Sequence, residues 1–102
     1  MTPAPRPQVT PLEEGKVFET KQMEATEGVQ WPRHKASEES VLVVTAGTLI
    51  VEFPESQPIL TAGESIVIPA DVWHEIVPHP AFKAIHIMPK GIRFTFPPTS
   101  RE

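Results

Sequence analysis

A chain of 102 residues can form one domain around one modest core. Thirteen prolines and five glycines interrupt it too often for long helices and favour an all-β fold. The formal charge of −4 argues against a nucleic-acid partner, the absence of cysteine excludes disulfides and thiolate chemistry, and no apolar run suggests a signal peptide or membrane span. The default expectation is a soluble, cytoplasmic protein.

In chain order, the first segment (1–11) is rich in proline, which excludes helix and central strand; it is expected to be a flexible, extended arm. Leu12-Glu13-Glu14-Gly15 turns the chain, and Lys16 to Met23 alternates imperfectly, predicting an edge strand. Gly28 to His34 predicts a second strand entering a proline corner at Pro32. Val41 to Val44 is a continuous apolar run of the kind buried on both faces. Ala46-Gly47-Thr48 predicts a hairpin turn, after which Leu49, Val51 and Phe53 alternate along the next strand. Ile59 to Thr61 and Ser65 to Ile68 predict two short strands either side of a turn at Gly63. Pro69-Ala70-Asp71 ends the second of these, and His74 to Val77 opens another. Pro78-His79-Pro80 predicts a corner, Phe82 to Met88 a long strand and Ile92 to Phe96 a last one, before a polar tail over 98–102. Eight or nine short strands with close turns predict a sandwich or barrel over residues 12–97.

The stretch Gly63 to His74 carries the most chemistry. Gly63, Pro69 and His74 match in type and spacing the second conserved motif of the cupin superfamily, with Asp71 where that motif has a second glycine. Upstream, Gly47 and the apolar body Val41 to Ala46 resemble the end of the first cupin motif, and counting back from Gly47 puts His34 at its first histidine. The second histidine position falls on Ala36 and the glutamate position on Ser40, with Glu39 one residue earlier. The chain therefore resembles a small single-domain cupin with a degenerate first motif, over about residues 28 to 88. The resemblance implies an antiparallel small β-barrel of the jelly-roll type, a pocket at the barrel mouth bordered by His34, Ser40 and His74, and a homodimer.

Side chains alternate along a strand, so Leu42, Val44 and Ala46 would follow Ser40 inward, and Glu39 would reach the pocket only through a bulge. A metal site needs at least three ligands from histidine and carboxylate. His34 and His74 supply two; His86, on the Ala84–His86–Met88 face, and Glu39 are candidates for more. Each histidine either ligates or simply hydrogen-bonds within a polar pocket. Trp31 lies either at the pocket mouth or in the core, and Trp73, next to His74, is expected to face away from it. Ser37 and Ser40 show no adjacent base in the sequence, so nucleophilic catalysis is not expected. Two functions remain open: a barrel that binds a small ligand without chemistry, and a metal-dependent enzyme of oxygenase or isomerase type using one Zn, Fe, Mn or Ni ion on His34 and His74.

Overall fold

The structure is a computed structural model that describes residues 7–29 and 31–98. Eight strands build it: β1 (Gln8–Glu14), β2 (Phe18–Ala25), β3 (Lys35–Ala36), β4 (Ser40–Glu52), β5 (Ile59–Thr61), β6 (Ser65–Ile68), β7 (Glu75–Pro89) and β8 (Phe94–Thr95). Among the described residues there is no helix, and so none long and apolar enough to cross a membrane.

Two long antiparallel strands, β4 and β7, form the spine. The main sheet runs β1-β2-β7-β4-β5, with β6 also paired to β4. Along its free edge β4 meets β6 through Ser40–Val43 and β5 through Thr48–Ile50. β3 and β8 form a separate two-stranded ribbon. The curved sheet closes over a core whose fully buried members include Leu42, Val44, Leu49, Val51 and Met88.

The length of β4 departs from the sequence expectation. Ala46-Gly47-Thr48 is not a hairpin turn; the strand continues through it, with register shifts against β7 between Val44 and Ala46 and between Gly47 and Leu49. The bulge changes phase: Ser40, Leu42 and Val44 are buried before it, Leu49 and Val51 after it, and Ala46 is exposed rather than inward. Gly47 has a φ of 74°, and a Cβ there would land on the carbonyl of Ala81. Its backbone approaches β7 too closely for any side chain, so this glycine serves strand against strand rather than a turn. Thr45 Oγ1 donates to the Lys83 carbonyl at 3.1 Å, a side-chain tie between β4 and β7 at the bulge.

Other elements shift similarly. Pro78-His79-Pro80 lies within β7, because the neighbouring residues stay paired with β4 on both sides. Of the expected arm, Gln8–Pro11 belongs to β1, which continues through the Leu12–Glu14 stretch expected to turn and pairs with β2; residues 1–6 lie outside the described residues. β1 tolerates Pro11 because it is an edge strand. β2 is interior, between β1 and β7, and not the expected edge. Among the described residues of the stretch from Gly28 to His34 there is no strand, only the isolated bridge at His34, although Val29 and Trp31 are buried. The final strand shrinks to Phe94–Thr95.

The Gly63–His74 stretch folds as its turn chemistry dictates. Gly63 takes a φ of 91° and donates to the Val44 carbonyl at 2.8 Å, anchoring the β5–β6 turn on β4. Asp71 takes a φ of 61°, a left-handed conformation that aspartate tolerates, and its N–H donates to the Ala36 carbonyl at 2.7 Å. That turn delivers His74 to the barrel.

Candidate functional site

His34 and His74, forty positions apart in sequence, face each other in an isolated antiparallel bridge. Each N–H donates to the other's carbonyl at 2.9 Å. Opposed residues in such a pair project to the same side of the backbone, and the two imidazoles pack edge to face with centroids 4.5 Å apart. His34 Nδ1–H donates to the Pro32 carbonyl at 2.9 Å and His74 Nδ1–H to the Val72 carbonyl at 3.0 Å. A carbonyl can only accept, so both neutral rings carry their proton on Nδ1 and leave Nε2 as an acceptor.

The same bridge is held from outside. Arg33 and Lys35 flank His34 and therefore point the other way. Their charged groups lie 4.9 and 5.1 Å from the Trp73 ring centroid. Trp73 thus faces away from the pocket, as its position beside His74 predicts. Each such contact is worth about 0.5–1 kcal/mol at a partly exposed site, and together they clamp the segment that carries His34 to the one that carries His74.

The imidazoles line a cavity of about 240 Å³. Its apolar walls include Trp31, Leu42, Ile68, Ile76 and Met88, one or more from nearly every part of the barrel. Phe94 and Phe96, half-exposed, form part of the rim, and their rings stand 5.6 and 5.8 Å from that of His34. β2 contributes Lys21 and Met23, and β1 contributes Val9.

His86 also lines this cavity. It opposes Leu42 on β4 and Lys21 on β2, so all three share the inward face. Its Nε2 is hydrogen-bonded to Ser40 Oγ at 2.8 Å. Burial, reinforced by the neighbouring His34, His74 and Lys21, pushes the His86 imidazole down to about 4. His74 is also lowered, chiefly by burial; its hydrogen bond to Val72 opposes the shift and His34 adds to it. His86 is therefore uncharged at neutral pH.

These placements sort the residues singled out in the sequence. Trp31, His34, His74 and His86 meet at one cavity. Ser40 is buried behind that wall, hydrogen-bonded to His86, and does not itself line it. It does have an adjacent base, contrary to the sequence reading, but it lies away from the cavity where a substrate would have to reach it. Glu39 is exposed and lies off the cavity; no bulge turns it inward, since β4 begins at Ser40 with Ser40 and Leu42 in regular alternation. Lys21, Met23, Val9, Phe94 and Phe96 were not foreseen. Lys21 and Met23 were legible in principle, because they share strand parity with Ala25, the apolar phase of β2.

The donor set decides whether a metal fits. His34 and His74 offer the tautomer that ligation requires. The third imidazole has its Nε2 engaged by Ser40, and among the described residues no carboxylate lines the cavity. Among the described residues no group of three histidine, aspartate or glutamate side chains is placed to hold an ion. Two nitrogens fall short of the three or more protein ligands of a resident metal, so the residues present do not fit one.

No family model matches the sequence and no curated protein matches it. Solved structures define the fold. A cupin 2 domain-containing protein from Halorhodospira halophila superposes with a TM-score of 0.82 at 20% identity, over 90% of this chain and 70% of the other. A cupin-2 domain containing protein from Shewanella frigidimarina gives 0.74 at 25% identity, over 81% and 80%. The polyketide cyclase RemF from Streptomyces resistomycificus gives 0.77 at 19% identity, over 90% and 72%. The fold is the cupin jelly-roll barrel, consistent with a small cupin domain.

Proposed function

We propose that this domain is a metal-independent binding barrel for a small, largely apolar molecule held against His34 and His74. What supports this most is the cavity itself: hydrophobic walls converge on two fixed Nε2 acceptors, the pattern of a small-molecule site. The incomplete ligand set weighs against the alternative, a metal-dependent enzyme of oxygenase or isomerase type.

Tryptophan fluorescence tests the reading. A Trp73→Phe variant leaves Trp31, in the cavity wall, as the one remaining indole of the chain's two tryptophans. Its emission should change on adding benzyl alcohol, and an Ile68→Trp substitution, which fills the cavity, should abolish ligand-dependent shifts of the His34 and His74 ring signals. Metal content is the complementary measurement: protein purified without chelator should hold far less than one metal per chain. Stoichiometric Zn, Fe, Mn or Ni that is lost in His74→Ala would overturn the proposal in favour of the metal enzyme.

We further propose that the domain works as a homodimer. β1 is exposed along its whole length, and the β1–β2 hairpin presents Val9, Leu12, Val17 and Phe18, each between 44% and 60% exposed. Such apolar exposure on an edge hairpin, at Leu12, Val17 and Phe18 in particular, since Val9 also lines the cavity, is the kind of surface a second subunit covers. Light scattering coupled to gel filtration should give twice the chain mass, and a monomer at all concentrations would refute it.

A further inference from the structure

The charge inside the cavity differs from that of the chain. The sequence has thirteen acidic residues and a formal charge of −4, yet among the described residues no aspartate or glutamate lines the cavity. Among the described residues its one formally charged lining group is Lys21. The register that pairs Lys21 with His86 sets the lysine beside the imidazole on the inward face of neighbouring strands. A lysine among apolar walls, with no carboxylate in the lining, leaves a positive site that an anion would complete.

We propose that the ligand is a small organic acid with one apolar ring, its carboxylate held by Lys21 beside the histidine cluster and its ring against Trp31, Ile68 and Ile76. This rests on the cavity being the ligand site. The size agrees: a cavity of about 150 Å³ accepts a benzene ring, and this one, at about 240 Å³, has room for a ring plus one polar group. The chemistry of the polar end agrees as well. Lys21 Nζ donates to the carboxylate, and no acidic side chain of the described lining competes for that charge. No bond of the ligand is made or broken.

The test uses the full chain and two probes of similar shape and different charge, sodium benzoate and benzyl alcohol, followed through the ring nitrogen signals of His34, His74 and His86. Benzoate should bind at least about tenfold more tightly than benzyl alcohol. Lys21→Met, which keeps the aliphatic stem, should lower benzoate affinity about tenfold more than it alters that of benzyl alcohol, while Lys21→Arg should retain benzoate binding. Should the methionine variant not fold, Lys21→Gln takes its place. Equal affinity for the two probes, or benzoate binding indifferent to loss of the lysine charge, overturns the organic-acid inference but leaves the cavity as a site for neutral molecules. If neither probe moves the histidine signals at about 10 mM, the binding-barrel reading falls and this inference falls with it.

Discussion

His86 joins the cavity to the stability of the fold. The folded state holds its imidazole neutral down to about pH 4, whereas an unfolded chain protonates it near 6.5. Between these values the unfolded state binds more protons, so this contribution is fully present above about 6.5 and is lost as pH falls toward 4. His74, lowered for a similar reason, acts in the same direction. The cost arises because a protonated His86 would be desolvated and would face Lys21, His34 and His74, with no carboxylate in the described lining to offset it. The loss from His86 should be about 2 kcal/mol. Urea unfolding at pH 7.5 and pH 4.5 measures it: the midpoint should fall with pH, and His86→Gln should flatten that fall. An unchanged pH dependence in the variant would show that His86 does not carry it. The pairing with Ser40 was hidden in the sequence, because the two residues lie 46 positions apart and meet only across neighbouring long strands.

The two long strands differ in how plainly the sequence declares them. The ends of β6 were legible, since Gly63 and Asp71 are residues that tolerate the left-handed angles found there. Gly47 misled because glycine marks both a turn and a place where another backbone comes close, and only tertiary structure separates the two. Substitution distinguishes the roles. Gly47→Ala drives a methyl group into the Ala81 carbonyl and forces a strained φ besides, so it should cost more than about 3 kcal/mol. Gly63→Ala meets open space and should cost only the left-handed penalty, about 1 kcal/mol. Thermal unfolding of the two variants should rank them in that order; equal losses would mean that β4 and β7 separate at the bulge without penalty. Pro78-His79-Pro80 misled in a related way, because two prolines signal a corner while β7 accommodates them where its pairing with β4 shifts register.

At the scale of the whole molecule, the barrel was legible and half of its cavity was not. His34 and His74 could be identified because the turn residues around Gly63, Pro69 and Asp71, and the spacing back from Gly47, place them at the histidine positions of the motifs the chain resembles. The opposite wall comes from β1, β2 and the last strand, whose places depend on pairing partners far away in sequence: Val9 reaches the cavity because Gln8–Pro11 pairs with β2, and Lys21 because β2 pairs with β7. Phe94 and Phe96 carry no local mark of their role at all. The metal question shows the same limit, since counting histidines suggests three donors, and only the contact between His86 and Ser40 removes one of them.

The reciprocal main-chain bonds between His34 and His74 have a consequence for selectivity. They fix the spacing of two acceptors through the backbone, so the polar end cannot adapt to a guest. The aromatic rim, by contrast, rides on a two-residue ribbon with half-exposed rings. A guest is thus judged strictly on its head group and leniently on the bulk of its tail.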